Sequence, residues 1–424
     1  MINKLIFLFS IIKLILSIDQ DKIDAVNNVL KWAKKHEITV VPVITLNPVN
    51  ENHNLPYFTA NDDIPENKTI ISIPERMIIN HESISNLYVN NTKSKYHNLW
   101  DKIFKLENQY LRYVSTKQLF YMTTMIEHSM RIKKGKLYHK YKPYFNLYEY
   151  TNLNNFPIFY SQEELDLIKG SNFYDEIKRA KESLESEQKV LYDDFGFTNV
   201  DLENFLKYRV LILANSVLHD NNTILIPFLD LFSKDMYDDL THVEYKYNKA
   251  FKKFNIIAKK EIKKGTEIKL KTKTIPNLSS LLYYGYTSER NTYMGRFLIE
   301  TVNNVFRRRL NWDGSIKLIN VSYDLGSNSF LEDIIGTYQN LKSQLKDYKD
   351  NEVGEYLLMK ENLEDYLKIY DKFTDGIFSQ VFYGQKKINN VKRILKLEKK
   401  LLEFRIQYLE RLIKQKKNNK NSDL

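Results

Sequence analysis

LIPFLDLFSKD (Leu225–Asp235) and KKGTEIKLKTKTIPNLSSLLYYGY (Lys263–Tyr286) are the stretches of this chain that decide its fold. Both break short apolar runs with turn-forming Pro, Gly, Asp and Asn residues, a pattern that predicts short strands and tight turns. Apolar residues at helical spacing lie on both sides of this region. The pattern therefore predicts a small β region enclosed by helical segments.

The composition is that of a folded, mildly basic protein. A chain of 424 residues predicts two or three compact units, and 43% hydrophobic residues are enough to bury a large core. The net charge of +11 would attract acidic proteins, anionic membranes or nucleic acid without selectivity. Because zinc-finger and RNA-recognition signatures are absent, we expect no specific nucleic-acid binding.

Metal and disulfide chemistry are disfavoured by the residue types present. The chain has no cysteine, which excludes disulfides and thiolate zinc sites. His81–Glu82 and His219–Asp220 are adjacent pairs without the spacing of metal ligands, and we interpret them as surface or loop residues. The Lys-rich segment Lys259–Lys273 is interpreted as a solvated hairpin, with a binding face as the alternative.

The N-terminus is typical of a secretory signal peptide. Lys4 precedes the apolar run Leu5–Leu16, and Ser17 supplies a small residue for cleavage. We therefore predict a signal peptide over 1–18 and a protein of the secretory pathway. An amphipathic helix packed on the core of a cytoplasmic protein is the alternative. The run is too short to span a bilayer, which takes about 20 residues, and we expect no membrane span.

The remaining pattern divides the chain into alternating β and helical parts. Asp19–His36 has helical spacing, and Thr69–Ile73 alternates as a strand that Pro74 stops. From His81 to Asp201 the spacing is mainly helical, although the aromatic segment 138–171 is rich in turn residues. Helical spacing resumes at Asn291, ends in a helix over Ile388–Gln415, and precedes a polar tail that we expect to be disordered.

Five segments carry a family resemblance that covers nearly all of 27–414. They are FTANDDIPENKTIISIPERMII (Phe58–Ile79), KYKPYFNLYEY with PIFYSQEELDLIKGS (within 140–171), ENFLKYRVLILANSV (Glu203–Val217), LIPFLDL (Leu225–Leu231) and GTEIKLKTKTIPNLSSLLYYGY (Gly265–Tyr286). Their order resembles the SET-domain branch that includes the Rubisco large-subunit lysine methyltransferase and the actin-histidine methyltransferase. The resemblance implies an α+β fold: a SET domain over 19–288, split by a helical insertion at about 81–200, a helical substrate-binding-like domain over 289–415, and a tail over 416–424.

The resemblance also implies a site for S-adenosylmethionine, but its polar positions are altered here. Leu55-Pro56-Tyr57 stands where the family has Gly-x-Gly, which lets the backbone approach the cofactor. Asn215-Ser216-Val217 replaces Asn-Ser-Arg, and Ser233-Lys234 replaces Asn-His, while Asp230 is kept. Thr272-Lys273 replaces the catalytic Tyr-Gly. We interpret Asp230 as a structural turn or cap residue, and Tyr284-Gly285 as core packing.

The intact apolar motifs and altered polar positions suggest two functions. The first is a non-catalytic SET-fold protein, without cofactor or metal, that binds protein through its cleft and C-terminal helical domain. The alternative is a divergent but active S-adenosylmethionine-dependent protein-lysine or protein-histidine N-methyltransferase. We expect a monomer in either case. A basic protein that binds anionic surfaces is a third class, supported only by the net charge.

Overall fold

A computed structural model describes residues 20–50, 52–88, 98–107, 111–197, 201–272, 275–291, 352–373, 378 and 381–422. The predicted signal peptide over 1–18 lies outside the described residues. The chain groups into two compact units. Unit 1 comprises Met1–Leu153 with Lys181–Thr274, and unit 2 comprises Asn154–Ala180 with Ile275–Leu424.

Unit 1 contains all ten β-strands of the described chain. They are β1 (Thr39–Val40), β2 (Ile44–Asn47), β3 (Tyr57–Ala60), β4 (Thr69–Pro74), β5 (Ser216–His219), β6 (Asn222–Leu225), β7 (Ser233–Asp235), β8 (Val243–Asn248), β9 (Lys253–Ala258) and β10 (Lys269–Lys271). Six form a sheet in the order β1-β4-β9-β8-β10-β7, while β2-β3 and β5-β6 form two-stranded ribbons. Within the large sheet β10 runs parallel to β7 and to β8.

The large sheet follows the alternation of its sequence. In β9 the residues Phe254, Ile256 and Ala258 are buried and their neighbours are half-exposed, as expected for a strand with one face on the core. The strand predicted at Thr69–Ile73 forms as β4 and pairs antiparallel with β9. The segment Lys259–Lys273 is not a hairpin, because β10 at its end pairs with β7 and β8 instead of β9.

Helices cover the rest of unit 1. They are α1 (20–35), α2 (His81–Asn86), α3 (Leu99–Lys105), α4 (Val114–Ile132), α5 (Gly135–Glu149) and α8 (Leu202–Asn215), with the end of α7 (Asn172–Asp193). Helix α5 replaces most of the turns predicted between 138 and 150, although Pro143 lies inside it. The apolar face of this helix explains the difference: Tyr141, Tyr144, Phe145 and Tyr148 recur at helical spacing and are all buried.

Helices joined by loops and turns make up the described residues of unit 2. It contains α6 (Gln162–Leu167), the start of α7, α9 (Asn277–Tyr284), α10 (Glu352–Tyr370) and α11 (Gln385–Ser422). Ser161 and Glu164 begin α6 with a reciprocal capping box, and Gly285 ends α9 in a left-handed conformation with φ +70°. The tail predicted to be disordered from Lys416 is helical to Ser422, where it continues α11.

None of the helices in the described ranges is long and apolar enough to cross a membrane.

Candidate functional site

The candidate positions all lie in unit 1, at the ends of its strands and of α8. Tyr57 begins β3, Asn215 ends α8, and Ser216 and Val217 begin β5. Ser233 and Lys234 lie on β7, and Thr272 follows β10 directly. Parallel pairing sets Lys269 beside Ser233 and Leu270 beside Lys234. Segments distant in sequence thus supply neighbouring side chains, and Lys273 lies outside the described residues.

The loop before β3 is filled by two stacked rings. The Tyr57 phenol and the His53 imidazole lie parallel, with centroids 3.5 Å apart and planes at 5°. Asn50 holds both: its Nδ2 donates to the Tyr57 hydroxyl at 3.2 Å, and its Oδ1 lies 2.8 Å from His53 Nδ1. Pro56 is buried beside them. A position that the resemblance gives to glycine is therefore occupied by a rigid aromatic pair.

A carboxylate links this loop to β7. His53 Nε2 lies 3.2 Å from Glu267 Oε1. The hydrogen bond with His53, followed by one with Ser233 and the charge of Lys269, holds the pKa of Glu267 down at about 2. Ser233 thus pairs with Glu267. His53 was missed because it lies outside the five family segments. Glu267 lies within the last of them, but no role was expected of it there.

Lys234 closes the end of α8. Its Nζ donates to the Ala214 carbonyl at 2.5 Å and also to Asn215 Oδ1. Asn215 Nδ2 donates to the Leu211 carbonyl at 2.8 Å, so both ends of this amide are engaged. The negative end of a helix dipole favours such a cation. Burial nevertheless lowers the pKa of Lys234 to about 8, an effect that the charge of Asp230 opposes.

Asp230 lies in a 3-10 turn but does not cap it. Its side chain is buried and its Oδ2 accepts from the Tyr148 hydroxyl at 3.0 Å, while Tyr144 lies 3.3 Å from Tyr148. Burial raises the pKa of Asp230 to about 6, against the hydrogen bonds of Tyr144 and Tyr148, which lower it. Among the residues that the structure describes, Asp230 Oδ1 has no hydrogen-bond partner. The Tyr-x-x-x-Tyr spacing in α5 was the sequence signal for this pair of phenols.

The backbone beside Asp230 is strained. Phe228, which is fully buried, has φ +71°, a left-handed conformation that bulky residues rarely adopt. Its ring packs near those of Trp32 and Phe58, with centroids 6.3 Å away in each case. Aromatic packing therefore holds the LIPFLDL segment in place.

Thr272 points its polar atoms back at the sheet. Its backbone N–H donates to the Asp235 carbonyl at 2.8 Å, and its hydroxyl to the same oxygen at 3.2 Å. The backbone hydrogen bond continues the β7–β10 pairing by one residue, and it leaves the hydroxyl engaged with the sheet. Tyr284, which the sequence analysis assigns to core packing, belongs to unit 2, and burial raises its pKa.

One interpretation of the two histidine pairs is wrong. His81 is buried rather than at the surface, and its ring lies 4.3 Å from that of Trp100. Its Nδ1 lies 3.4 Å from Gln118 Nε2. His219 is half-buried on β5 and packs on Tyr247 and Phe254. Across the described ranges no group of His, Asp and Glu is arranged to hold a metal ion.

The site as a whole is closed upon itself. Glu267 contacts both His53 and Ser233. Lys234 donates to the end of α8, and Thr272 donates to Asp235. The buried oxygens left without a hydrogen-bond partner at these positions are Asp230 Oδ1 and Ser216 Oγ. The arrangement offers few free polar groups to a ligand.

Comparison with known proteins supports the fold. No family model matches the chain, and no curated protein matches it. Solved structures do match. The SET domain of LSMT bound to lysine and AdoHcy is 16% identical with a TM-score of 0.63, over 92% of this chain and 91% of that chain. Rubisco LSMT bound to AdoMet is also 16% identical, with a TM-score of 0.63 over 92% of each chain. The chain therefore has the α+β SET-domain fold seen in Rubisco LSMT.

Proposed function

We propose that this protein is a non-catalytic member of the SET fold that binds another protein. Binding would use the surface that corresponds to the substrate cleft and the helical C-terminal region. The observation that carries the proposal is Lys234, whose ammonium takes the acceptors at the end of α8. By resemblance, this is where the amino end of S-adenosylmethionine would be held.

Charge supports this proposal. S-adenosylmethionine carries a sulfonium and an ammonium, so its methyl-donating end is cationic. With a pKa of about 8, Lys234 is mainly protonated at neutral pH. Two cations held close together in a partly buried site repel each other strongly. The lysine thus opposes the cofactor both by filling its acceptors and by its charge.

Shape supports it as well. Methyl transfer requires the sulfonium and a neutral amine in line, in a pocket that excludes water. Buried Pro56 and the stacked Tyr57 occupy the loop where glycines would allow close approach. Thr272 is shorter than a tyrosine, and its hydroxyl is engaged with Asp235.

Calorimetry tests the proposal directly. Titration of the purified chain with S-adenosylmethionine, and separately with S-adenosylhomocysteine, which lacks the sulfonium charge, should give no binding heat up to millimolar concentration. Binding of S-adenosylhomocysteine alone would mean that charge excludes the cofactor while the pocket is open. Binding of either compound would refute a closed cofactor site.

A divergent protein-lysine or protein-histidine methyltransferase is the second candidate. Asp230 favours it, because this residue of the family motif is kept and its Oδ1 remains unpaired. Transfer of a radiolabelled methyl group to proteins of a lysate would establish this activity. A blank result with a folded chain would leave the binding function as the better account.

We also propose that the chain enters the secretory pathway and acts as a monomer, with a cytoplasmic monomer as the alternative. Lys4 and the apolar run Leu5–Leu16 motivate this localisation. A secretory compartment also fits loss of catalysis, since the cofactor would have to be delivered there. N-terminal sequencing of the mature protein should find a start near residue 19, and a start at Met1 would contradict it.

A further inference from the structure

Helix α11 presents two unlike faces. Its buried side contains Leu401, Leu402, Ile406, Leu409 and Ile413, and it packs against α10 within unit 2. Residues on the opposite side are exposed between Lys396 and Lys414. Packing within unit 2 does not explain the residues on this second side.

The exposed side carries a row of cations around one aromatic ring. The row consists of Lys396, Lys400, Phe404, Gln407, Arg411 and Lys414, called the basic row below. Steps of three and four residues align them on one face, and at 1.5 Å per residue they extend over about 27 Å. Phe404, near the middle, is 43% exposed.

The cations of the basic row lack the partners that neighbouring cations have. Lys360 lies 3.0 Å from Glu410, and Lys399 lies 2.8 Å from Asp371. Within the described part of the chain, no carboxylate pairs with Lys396, Lys400, Arg411 or Lys414. The nearest unpaired acid along the helix, Glu403, is half-buried at the border of the row.

The closely spaced cations lower helix stability and the exposed phenylalanine lowers solubility, unless a partner binds them. Like charges four residues apart, as in Lys396 and Lys400, destabilise a helix, and a glutamate at either position would stabilise it. An exposed phenylalanine flanked by cations has the arrangement of an interface, in which an apolar centre is surrounded by a polar rim.

We propose that the basic row binds an acidic segment of a partner protein, with an apolar side chain of that segment packed on Phe404. The inference rests on the proposed protein-binding function and names its surface and the chemistry of its partner. Carboxylates on both sides of the apolar residue match the cations on both sides of Phe404. A membrane would require a broad apolar face, and this row has one apolar residue.

The test measures binding of synthetic peptides to the full chain by fluorescence anisotropy. The probe is a helical peptide with two glutamates on each side of a central leucine, and the control peptide has serine in place of the leucine. Anionic phosphatidylserine vesicles and a DNA duplex form two further arms. The protein variants are Phe404→Ser and the double variant Lys396→Glu with Arg411→Glu.

A matched charge control is available in unit 1. Lys31→Glu with Lys34→Glu reverses the same number of exposed cations on α1. We expect the original protein to bind the leucine peptide about tenfold more tightly than the serine peptide. Phe404→Ser should lower the affinity for the leucine peptide about tenfold, and the double variant should abolish its binding. The α1 control should bind like the original protein.

Several outcomes would overturn the proposal. They are no binding of the leucine peptide at low salt, equal binding of both peptides, equal loss in the α1 control, or tighter row-dependent binding of vesicles or duplex. Circular dichroism would verify that each variant is folded. The result is independent of the cofactor titration, because S-adenosylmethionine binding concerns unit 1 and this peptide binding concerns α11.

Discussion

The lysines of the candidate site in unit 1 and of the basic row in unit 2 have opposite environments. Lys234 is half-buried and its ammonium donates to acceptors at the end of α8. Lys396 and Lys400 are exposed on α11, and no carboxylate of the described residues pairs with them. A polar group that is already bonded within the protein has little to offer a ligand. The comparison therefore directs a search for a ligand to the exposed cations of α11 rather than to Lys234.

A buried acid in unit 2, Glu398, gives the largest expected effect on stability. It lies on the same helix as the exposed basic row and so sharpens the contrast between buried and exposed groups. Glu398 is fully buried on α11, accepts from Tyr370 at 2.8 Å and Asn172 at 3.1 Å, and lies near Asp175 and Glu176. Burial raises its pKa from 4.5 to about 8. Between these values the folded state binds more protons than the unfolded state, so stability falls as pH rises.

Glu398→Gln should remove this pH dependence. The wild type should lose up to roughly 5 kcal/mol of unfolding free energy between pH 4.5 and 8, and the variant should lose much less. Denaturant unfolding at several pH values measures the difference. An identical pH slope in both proteins would show that Glu398 is not buried as a neutral acid.

An ion pair buried in unit 1 tests whether internally satisfied charges hold that unit together. Arg209 donates to Glu187 through Nε at 2.6 Å and Nη2 at 3.0 Å, and both side chains are buried. Glu187→Ala leaves the guanidinium buried and unpaired, and should cost about 3–5 kcal/mol of unfolding free energy. Lys263→Ala is the control, because its pairs with Asp63 and Glu261 are exposed and should contribute little.

Removing Lys234 tests the closed site itself. Lys234→Met deprives the Ala214 carbonyl and Asn215 Oδ1 of their donor, and should cost about 1–3 kcal/mol at neutral pH. The folded pKa of about 8 lies below the usual 10.5, so the unfolded state binds more protons between these values and wild-type stability should rise with pH there. The variant should lack this rise.

A neighbouring lysine provides the control for Lys234. Lys269 lies on β10, beside Ser233 of β7, and its Nζ lies 3.6 Å from Asp235. Lys269→Met should change the unfolding free energy by less than about 0.5 kcal/mol. If both substitutions cost the same, Lys234 would not be a special contact.

Sequence patterns revealed the frame of unit 1 better than its contacts. The alternation in 69–73 predicted β4 correctly. Helix α5 was missed because its segment is rich in turn residues, including Pro143; burial of its tyrosine face nevertheless favours the helix. The pairing of His53 with Glu267 joins segments that lie far apart in the sequence. No local spacing encodes such a contact, and the burial of His81 against Trp100 was hidden for the same reason.

The smallest effect on stability concerns the basic row and separates folding from binding. Lys396→Glu sets a glutamate four residues before Lys400 and three before Lys399, the favourable direction along a helix. It should stabilise the protein by about 0.2–0.5 kcal/mol while weakening the acidic leucine peptide severalfold. A substitution that improves the helix yet impairs binding would show that the lysine is kept for a partner. Thermal unfolding and anisotropy on the same sample decide this, and a variant that gains stability without losing affinity would leave the row as ordinary solvated surface.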